Sequence, residues 1–294
     1  MLLGLPKFEY VSCKTLEEAC SLLLKHKGES AVLAGGTDLL VKMKHRKLLP
    51  DYLVNIKRIP DLSDIRYDDL QGVRIGALTT IQTIRNSPLI MKKFSVLNQA
   101  SGILGTPHVR NLATLGGNVC NASPASECAP PLLALEARAR IVGTNGVRTV
   151  LLEEFFVGPG QNALRSDEIL TEIQIPNLPP RAVGIHLKHS TRRVDVAIAN
   201  VSVVMVIEGN TCQDIRIALG AVGPVAFRGK KTEAILRGQR LDRGLDALTE
   251  QAAQQASDES FPIDDIRGPA AYRKQVVKSL VRQGIERAIA RARS

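Results

Sequence analysis

The sequence of 294 residues contains no tryptophan, and it has only four tyrosines and six phenylalanines. Proteins that bind single-stranded nucleic acids commonly stack the bases on aromatic side chains. The formal net charge of +10 would attract a nucleic acid, but this chain offers little aromatic surface for stacking. We therefore expect no nucleic-acid partner, and we interpret the basic surface as solvated or facing another subunit.

Long apolar runs are also missing. No stretch approaches the roughly 18 uninterrupted apolar residues that a membrane-spanning helix requires. The first residues, Met1 to Lys7, lack the charged segment and the long apolar segment that are typical of a secretion signal. From these two observations we expect a cytoplasmic protein without a membrane span.

Several motifs of cofactor chemistry are absent. The five cysteines form no C-x-x-C pair and no compact group of four, so we predict buried free thiols and neither a zinc site nor an iron–sulfur cluster. The motifs G-x-G-x-x-G and G-x-x-x-x-G-K-[ST] are missing, which excludes the usual Rossmann and P-loop patterns. No Ser-His-Asp order and no paired carboxylates stand out. We therefore predict no catalytic and no metal-binding residue.

Two glycine-containing segments about eighty residues apart are the most informative features present. The first is Ala34-Gly35-Gly36-Thr37-Asp38-Leu39, and the second, Thr114 to Pro124, contains Gly116-Gly117-Asn118. Glycine lets the backbone approach an anion and adopt positive φ, so that consecutive N–H groups converge on phosphate oxygens. One Gly-Gly pair is more often a simple turn, but two such segments favour a pyrophosphate site held by neutral donors.

Polar side chains accompany both segments. Asp38 and Glu127 could accept hydrogen bonds from sugar hydroxyls, although Asp38 or Ser126 taken alone could equally be a helix cap. The hydroxyl and amide groups available to phosphates are those of Thr37, Thr114, Asn118, Asn121, Ser123 and Ser126. The densest basic stretch, Lys42 to Lys47, follows the first segment, and we assign it to a docking or solvated surface.

Apolar periodicity and turn residues predict an α+β chain in two parts. The proline-dense break Pro176 to Pro180 marks the boundary, and Asn145-Gly146 predicts a hairpin turn before it. Before the break we predict helices at 15–27, 80–86, 92–103 and 130–135, and strands at 31–34, 52–56, 73–77, 138–142, 147–151 and 169–175. After it we predict an antiparallel sheet of strands 186–189, 201–208 and 211–219, followed by helices at 231–236, 245–256 and 269–291.

The two glycine segments resemble the FAD-binding motifs of the flavoprotein (medium) subunit of molybdenum hydroxylases, the family of xanthine dehydrogenase and aerobic carbon monoxide dehydrogenase. The resemblance implies a two-subdomain FAD-binding fold of the vanillyl-alcohol-oxidase (PCMH) type over residues 1–177, with subdomains of about 1–57 and 58–177. It also implies a C-terminal domain of the CO dehydrogenase flavoprotein type over 182–294. Further similar segments are Val109-Arg110-Asn111, Asp167 to Leu170 with Ile175-Pro176, Arg192-Arg193 with Asp195 to Ala199, and Asp265 to Gly268 with Tyr272-Arg273.

The resemblance further implies which residues bind a non-covalent FAD. Leu170 would pack against the adenine or the ring region, and Lys188 would lie near the isoalloxazine, where a cation stabilises the reduced flavin. An ordinary exposed position on a strand remains the alternative for Lys188. Ser126 and Glu127 would contact ribose or ribityl hydroxyls. The remaining cofactor-binding residues, most of them around the pyrophosphate, are Ala34, Gly35, Gly36, Thr37, Asp38, Leu39, Leu104, Thr114, Gly116, Gly117, Asn118 and Asn121.

By the same resemblance, the chain is an FAD-containing electron-transfer subunit and an oxidoreductase. Its partners would be a large molybdenum-cofactor subunit and a small subunit with [2Fe-2S] clusters, in a heterotrimer or a dimer of heterotrimers. Electrons would leave through FAD to NAD⁺, a quinone, a ferredoxin or oxygen. The alternative is a free-standing FAD-dependent reductase of the same fold, such as the UDP-sugar enolpyruvyl reductase, which would need its own acid and substrate-binding residues.

Overall fold

The computed structural model describes residues 4–192, 194–242 and 244–293, so Met1 to Leu3 and Arg193 of the segments discussed above lie outside it. None of the helices in these ranges is both long and apolar enough to cross a membrane. The elements in chain order are β1 (Glu9–Ser12), α1 (Leu16–Lys25), β2 (Ser30–Leu33), α2 (Leu39–Lys44), β3 (Tyr52–Asn55), β4 (Ile65–Asp68), β5 (Gly72–Gly76), α3 (Ile81–Asn86), α4 (Pro88–Lys93), α5 (Ser95–Ile103), α6 (Pro107–Leu112), α7 (Leu115–Cys120), α8 (Ala129–Ala134), β6 (Arg138–Gly143), β7 (Gly146–Leu151), α9 (Leu152–Phe155), β8 (Phe156–Gly158), β9 (Gln161–Asn162), β10 (Ile169–Ile175), β11 (Ala182–His189), β12 (Ala199–Glu208), β13 (Thr211–Gly220), β14 (Phe227–Arg228), α10 (Lys230–Leu236), α11 (Leu245–Glu259) and α12 (Ala270–Arg293).

The N-terminal part is a small parallel sheet with strand order β1-β3-β2, and α1 packs on it. Helix α1 begins where the sequence predicts, because the Thr15 hydroxyl accepts a hydrogen bond from the Glu18 N–H at 3.1 Å. Apolar side chains such as Ala19 and Leu23 of α1 pack with Val54 of β3 in a core that also includes Leu78 and Ile169. The parallel arrangement places the ends of β2 and β3 at the same edge of the sheet.

The second part is a five-stranded sheet with strand order β4-β5-β10-β6-β7, in which every pair is antiparallel. Helices α3, α4, α5, α7 and α8 contribute to the apolar core that includes the inner strands of this sheet. The predicted hairpin is present, but Gly143 pairs with Gly146, so its turn residues are Thr144 and Asn145. Gly146 opens β7 at a φ of 111°, a conformation that favours glycine.

The predicted helix over 92–103 is wrong in its extent. The chain forms two helices, α4 and α5, that are separated at Phe94, whose φ of −131° is not helical. Helix α4 begins earlier than predicted because the Ser87 hydroxyl caps it and Pro88 occupies its first turn. The fully buried Phe94 ring belongs to the core of this part of the chain, so tertiary packing outweighs the apolar helical pattern.

The C-terminal part is the predicted antiparallel sheet, with the order β11-β12-β13 and the short β14 added at its edge. One face packs against α10 and α12, through residues such as Val203 and Val281, and α11 packs on these two helices. The opposite face contacts α5 and α8, and Val204 and Ala218 join the core of the preceding part. Strand β12 is therefore buried on both faces, and the predicted α+β fold with a C-terminal antiparallel sheet is confirmed.

Candidate cofactor-binding cleft

A cleft of about 510 Å³ lies between the two parts of the N-terminal half. Its walls come from the ends of β2 and β3, from the chain after β5, from α2 and α7, and from the start of β10. This volume is within the range of small-molecule sites, which span roughly 300–1,000 Å³. Both glycine segments reach it, although about eighty residues separate them in the sequence.

All the cofactor-binding residues that the sequence predicts, except Lys188, line this cleft. Lys188 lies behind it and contacts a lining residue, as described below. The predicted residues in the lining are Ala34, Gly35, Gly36, Thr37, Asp38, Leu39, Leu104, Thr114, Gly116, Gly117, Asn118, Asn121, Ser126, Glu127 and Leu170.

The first glycine segment follows β2 and leads directly into α2. Gly36 has a φ of 75°, as expected for a glycine turn, and this conformation would strain any other residue. A Cβ on Gly35 would collide with the carbonyl of Leu112 and come within 3.1 Å of the Ala113 Cα. The glycine at position 35 therefore lets this segment pack against the chain that precedes the second segment. Asp38 is the N-cap residue of α2, but its side chain caps no backbone N–H, so the helix-cap alternative is wrong for Asp38.

In the second glycine segment, the prediction that the glycines adopt positive φ is wrong. Gly116 and Gly117 belong to helix α7 and do not have positive φ. The Thr114 hydroxyl caps this helix by accepting from the Gly117 N–H at 3.1 Å. A Cβ on Gly116 would lie 2.6 Å from the Ala77 Cβ, whereas a Cβ on Gly117 would meet only the Thr114 hydroxyl, at 2.9 Å. Gly116 is thus required for packing, while Gly117 is half-buried and borders the cleft.

Ser126 combines a position in the cleft with a structural role. Its hydroxyl donates to the Asn118 Oδ1 at 2.6 Å and accepts from the Ala129 N–H at 3.2 Å. The second contact satisfies a backbone donor at the start of α8. The Ser126 carbonyl in turn accepts a hydrogen bond from the buried Asn200 side chain of β12, at 3.2 Å. The cleft wall is therefore tied to the C-terminal sheet at this residue.

The neighbouring Glu127 forms an ion pair with Lys188 of β11, with 2.8 Å between the Glu127 Oε1 and the Lys188 Nζ. The two side chains are 12% and 3% exposed, so the alternative of an exposed position for Lys188 is wrong. Strand β11 thus supplies a buried cation behind the cleft wall. One oxygen of the predicted sugar-binding carboxylate is occupied by this contact.

Lys42 lines the cleft, although its sequence context predicts a position on a docking or solvated surface. The basic stretch 42–47 was assigned to the surface, yet Lys42 lines the cleft, and its Nζ donates to the Asn121 Oδ1 at 2.6 Å. The expectation of purely neutral donors therefore does not describe this cleft. Helical spacing in the sequence could have placed Lys42 in the cleft. It follows Leu39 and Asp38 by three and four residues, so it shares their face of α2.

Two further features set the electrostatics of the cleft. Glu168 lines it, and the Arg148 guanidinium, 2.7 Å away, lowers the pKa of the Glu168 carboxyl. Burial raises the pKa of the Cys120 thiol to about 12, so this lining cysteine is protonated at neutral pH. Within residues 4–192, 194–242 and 244–293, no group of three or more His, Cys, Asp or Glu side chains is placed to hold a metal ion.

These residues fit an adenine dinucleotide that carries a diphosphate. Gly36 and Gly117 leave the backbone without a side chain where the two segments line the cleft, so a phosphate could approach it closely. Hydroxyl and amide groups of Thr37, Asn118 and Asn121 lie in the same lining, and Leu104 and Leu170 supply apolar wall. Few polar groups placed in a mostly apolar cleft are typical of cofactor sites.

Comparisons with known proteins identify the family of both halves of the chain. Residues 6–178 match the family model of the FAD binding domain in molybdopterin dehydrogenase, and residues 186–288 match that of the CO dehydrogenase flavoprotein C-terminal domain. The carbon monoxide dehydrogenase medium chain of Hydrogenophaga pseudoflava is 34% identical over 290 residues, covering 97% of this chain and 98% of that protein. The glyceraldehyde dehydrogenase medium chain of Sulfolobus acidocaldarius is 34% identical over 275 residues, covering 94% and 96%.

A solved structure has the same fold over nearly the whole length. Carbon monoxide dehydrogenase from Hydrogenophaga pseudoflava, in a form that lacks the Mo-pyranopterin moiety of the molybdenum cofactor, superposes with a TM-score of 0.95 at 33% identity. The match covers 98% of this chain and 99% of that chain. Fold and cleft together define an FAD-binding flavoprotein subunit. The chain belongs to the family of FAD-binding medium subunits of the molybdenum hydroxylases, which are oxidoreductases.

Proposed function

We propose that this chain passes electrons from [2Fe-2S] clusters of a partner subunit through one bound FAD to an external acceptor. The observation that carries this proposal is the convergence of the two glycine segments, from opposite subdomains, on one cleft. Relatives named as medium chains of dehydrogenases support it, because each matches this chain over nearly its whole length. When bound, FAD supplies the redox chemistry, and the protein supplies position and electrostatics.

The cofactor is held without a covalent bond. Histidine and cysteine are the side chains suited to such a bond, and Cys120 is the one residue of either kind in the described lining. Its raised pKa keeps the thiol protonated, which makes it a poor nucleophile. The predicted lining residues bind the cofactor, with Gly36, Thr37, Gly117 and Asn118 at the diphosphate. Leu104 and Leu170 form apolar contacts at its adenine or ring.

Lys188 acts on the flavin through its charge. The ammonium group is buried, and its single described carboxylate partner is Glu127 of the cleft wall. A buried cation interacts strongly with nearby charge because the local dielectric constant is low. Lys188 therefore favours the reduced, negatively charged flavin, and Glu127 holds the ammonium group in position while its second oxygen contacts sugar hydroxyls.

The partners are a large subunit with the molybdenum cofactor and a small subunit with [2Fe-2S] clusters, in a heterotrimer or a dimer of heterotrimers. The name medium chain, which two relatives bear, supports an assembly of unequal chains. We further propose that the FAD-binding domain spans residues 1–177, that the C-terminal domain spans 182–294, and that the complex is cytoplasmic. One hydrophobic core, which includes Val203 and Val281, lies entirely within the C-terminal domain, and this supports the division.

The test compares the chain alone with the assembled complex. Loaded with FAD and purified alone, the chain should oxidise or reduce no organic metabolite. Adding the molybdenum and iron–sulfur subunits under anaerobic conditions should let the complex's substrate bleach the flavin absorption. Turnover of a metabolite by the isolated chain above roughly 1 per second, an ordinary enzymatic rate, would instead identify a free-standing flavoenzyme.

A further inference from the structure

A hydrogen bond spans the cleft between the two subdomains of the N-terminal half. Lys42 lies on α2, directly after the first glycine segment, and Asn121 is the C-cap residue of α7 in the second. The Lys42 Nζ donates to the Asn121 Oδ1 at 2.6 Å, and both side chains are half-buried in the cleft wall. The contact therefore joins the two segments from which the cofactor site is built.

The charge of Lys42 is not neutralised by its partner. Among the lining residues that the structure describes, Lys42 is the only cationic side chain. Two of the acidic lining residues, Glu127 and Glu168, are paired with Lys188 and Arg148. Asp38, four residues before Lys42, also lines the cleft, but no ion pair within the described ranges joins Lys42 to Asp38 or to another carboxylate. Asn121 is neutral. The cleft consequently presents one positive charge that the protein itself does not compensate with a carboxylate contact.

A purely structural role does not explain why position 42 is a lysine. A neutral amide at position 42 could also donate a hydrogen bond to Asn121, and it would not require an ammonium group to lose part of its hydration. A lysine in this position is explained if the bound ligand carries negative charge. The diphosphate of FAD carries two negative charges at neutral pH, and the cleft is where the glycine segments meet.

We propose that Lys42 provides the electrostatic attraction that retains the FAD diphosphate, and that Asn121 holds its ammonium group in the cleft. This inference rests on the proposed function, since it assumes that FAD occupies the cleft. Helix geometry supports it, because long side chains of a helix tilt toward its N-terminus, and α2 begins at the first glycine segment. Lys42 thus adds a charged contribution to the neutral donors of both segments.

The test measures FAD binding by the full chain, freed of flavin, through the quenching of flavin fluorescence. Lys42→Gln should raise the dissociation constant of FAD about tenfold at low salt, the effect of losing one charge-assisted contact. The difference from the parent should shrink in roughly 0.5 M salt, because salt screens charges in an open cleft. Lys42→Arg, which retains the charge, should bind FAD within about threefold of the parent.

Two controls separate charge in the cleft from other effects. Lys47→Gln removes the same charge from an exposed position of the same basic stretch, and it should leave FAD affinity within about twofold. Riboflavin, which lacks the diphosphate, should bind the parent and Lys42→Gln equally. Equal FAD affinity of Lys42→Gln and the parent, or equal weakening for riboflavin and FAD, would overturn the inference. Failure of the parent chain to bind FAD would instead contradict the proposed function itself.

Discussion

The Lys188 Nζ lies 2.8 Å from the Glu127 Oε1, and this ion pair connects the C-terminal sheet to the wall of the cofactor cleft. A second contact is made at Ser126, the residue before Glu127, whose carbonyl accepts a hydrogen bond from the Asn200 side chain. Lys188 and Asn200 are direct partners across β11 and β12. The C-terminal part therefore acts on the cofactor site through two adjacent strands, although in the described lining its only residues are Val194 and Val196.

The buried pair makes a testable contribution to stability. Lys188→Met leaves the Glu127 carboxylate, which is 12% exposed, without its cation, and we expect the free energy of unfolding of the flavin-free chain to fall by about 3 kcal/mol. The double variant Glu127→Gln/Lys188→Met removes both charges and should recover much of this loss. Denaturant unfolding measures both quantities. A loss below about 1 kcal/mol in the single variant would mean that the pair behaves like a solvated surface ion pair.

The two adjacent glycines of α7 should respond differently to the same substitution. Gly116→Ala brings a Cβ against Ala77, and such overpacking should cost about 1–3 kcal/mol of stability. Gly117→Ala meets only the Thr114 hydroxyl and gains helix propensity, so its stability should stay within about 1 kcal/mol of the parent. Because Gly117 borders the cleft, the same variant should bind FAD at least tenfold more weakly. Thermal unfolding and flavin titration of both variants check this, and unchanged FAD affinity in Gly117→Ala would contradict the placement of the diphosphate.

Part of the cofactor site could be predicted from the sequence, and part of it could not. The two glycine segments, their hydroxyls and their amides could be found from sequence, because phosphate binding needs these residue types in short runs. The positions of Lys42 and Lys188 could not, since a lysine in a basic stretch or on a strand is usually exposed. Their burial depends on which helix face and which strand pairing form the cleft.

The same limit applies to the fold. Local signals such as the Thr15 cap and the hairpin near Asn145 were sufficient to place α1, β6 and β7. The break at Phe94 could not be predicted, because it results from burial of the aromatic ring among residues that are far away in the sequence, such as Ile173. The helical conformation of Gly116 and Gly117 was missed for a related reason. Helix propensity disfavours glycine, and close packing on Ala77 overrides it.

His186 of β11 should make stability depend on pH below about pH 6.5. Burial and, to a smaller extent, the nearby Lys188 charge together lower the pKa of His186 to about 3, so the folded protein keeps the ring neutral. In the unfolded chain the ring binds a proton below about pH 6.5. The unfolded state therefore binds more protons between about pH 6.5 and 3, and stability falls as the pH drops through this window.

The expected loss from this residue is about 2 kcal/mol between pH 7 and pH 5. The Ser202 hydroxyl lies 2.8 Å from the ring Nδ1, and the Gln99 Oε1 of α5 accepts from the backbone N–H of His186. His186→Gln should flatten the pH dependence of the unfolding free energy in this range. Denaturant unfolding at both pH values measures it, with His189→Gln, a partly exposed histidine on the same strand, as the matched control. An unchanged slope in His186→Gln would show that the ring takes up protons in the folded protein as readily as in the unfolded chain.

The last prediction concerns the attachment of the cofactor. Among the cleft residues that the structure describes, Cys120 is the only thiol, and its raised pKa disfavours the thiolate that a flavin bond would require. Acid precipitation of the FAD-loaded chain should therefore release all the flavin into the supernatant, where its absorption can be measured. Cys120→Ala should bind and release FAD in the same amount as the parent. Yellow colour that stays with the precipitated parent but not with Cys120→Ala would identify a covalent bond at this cysteine, and the non-covalent assignment would then be wrong.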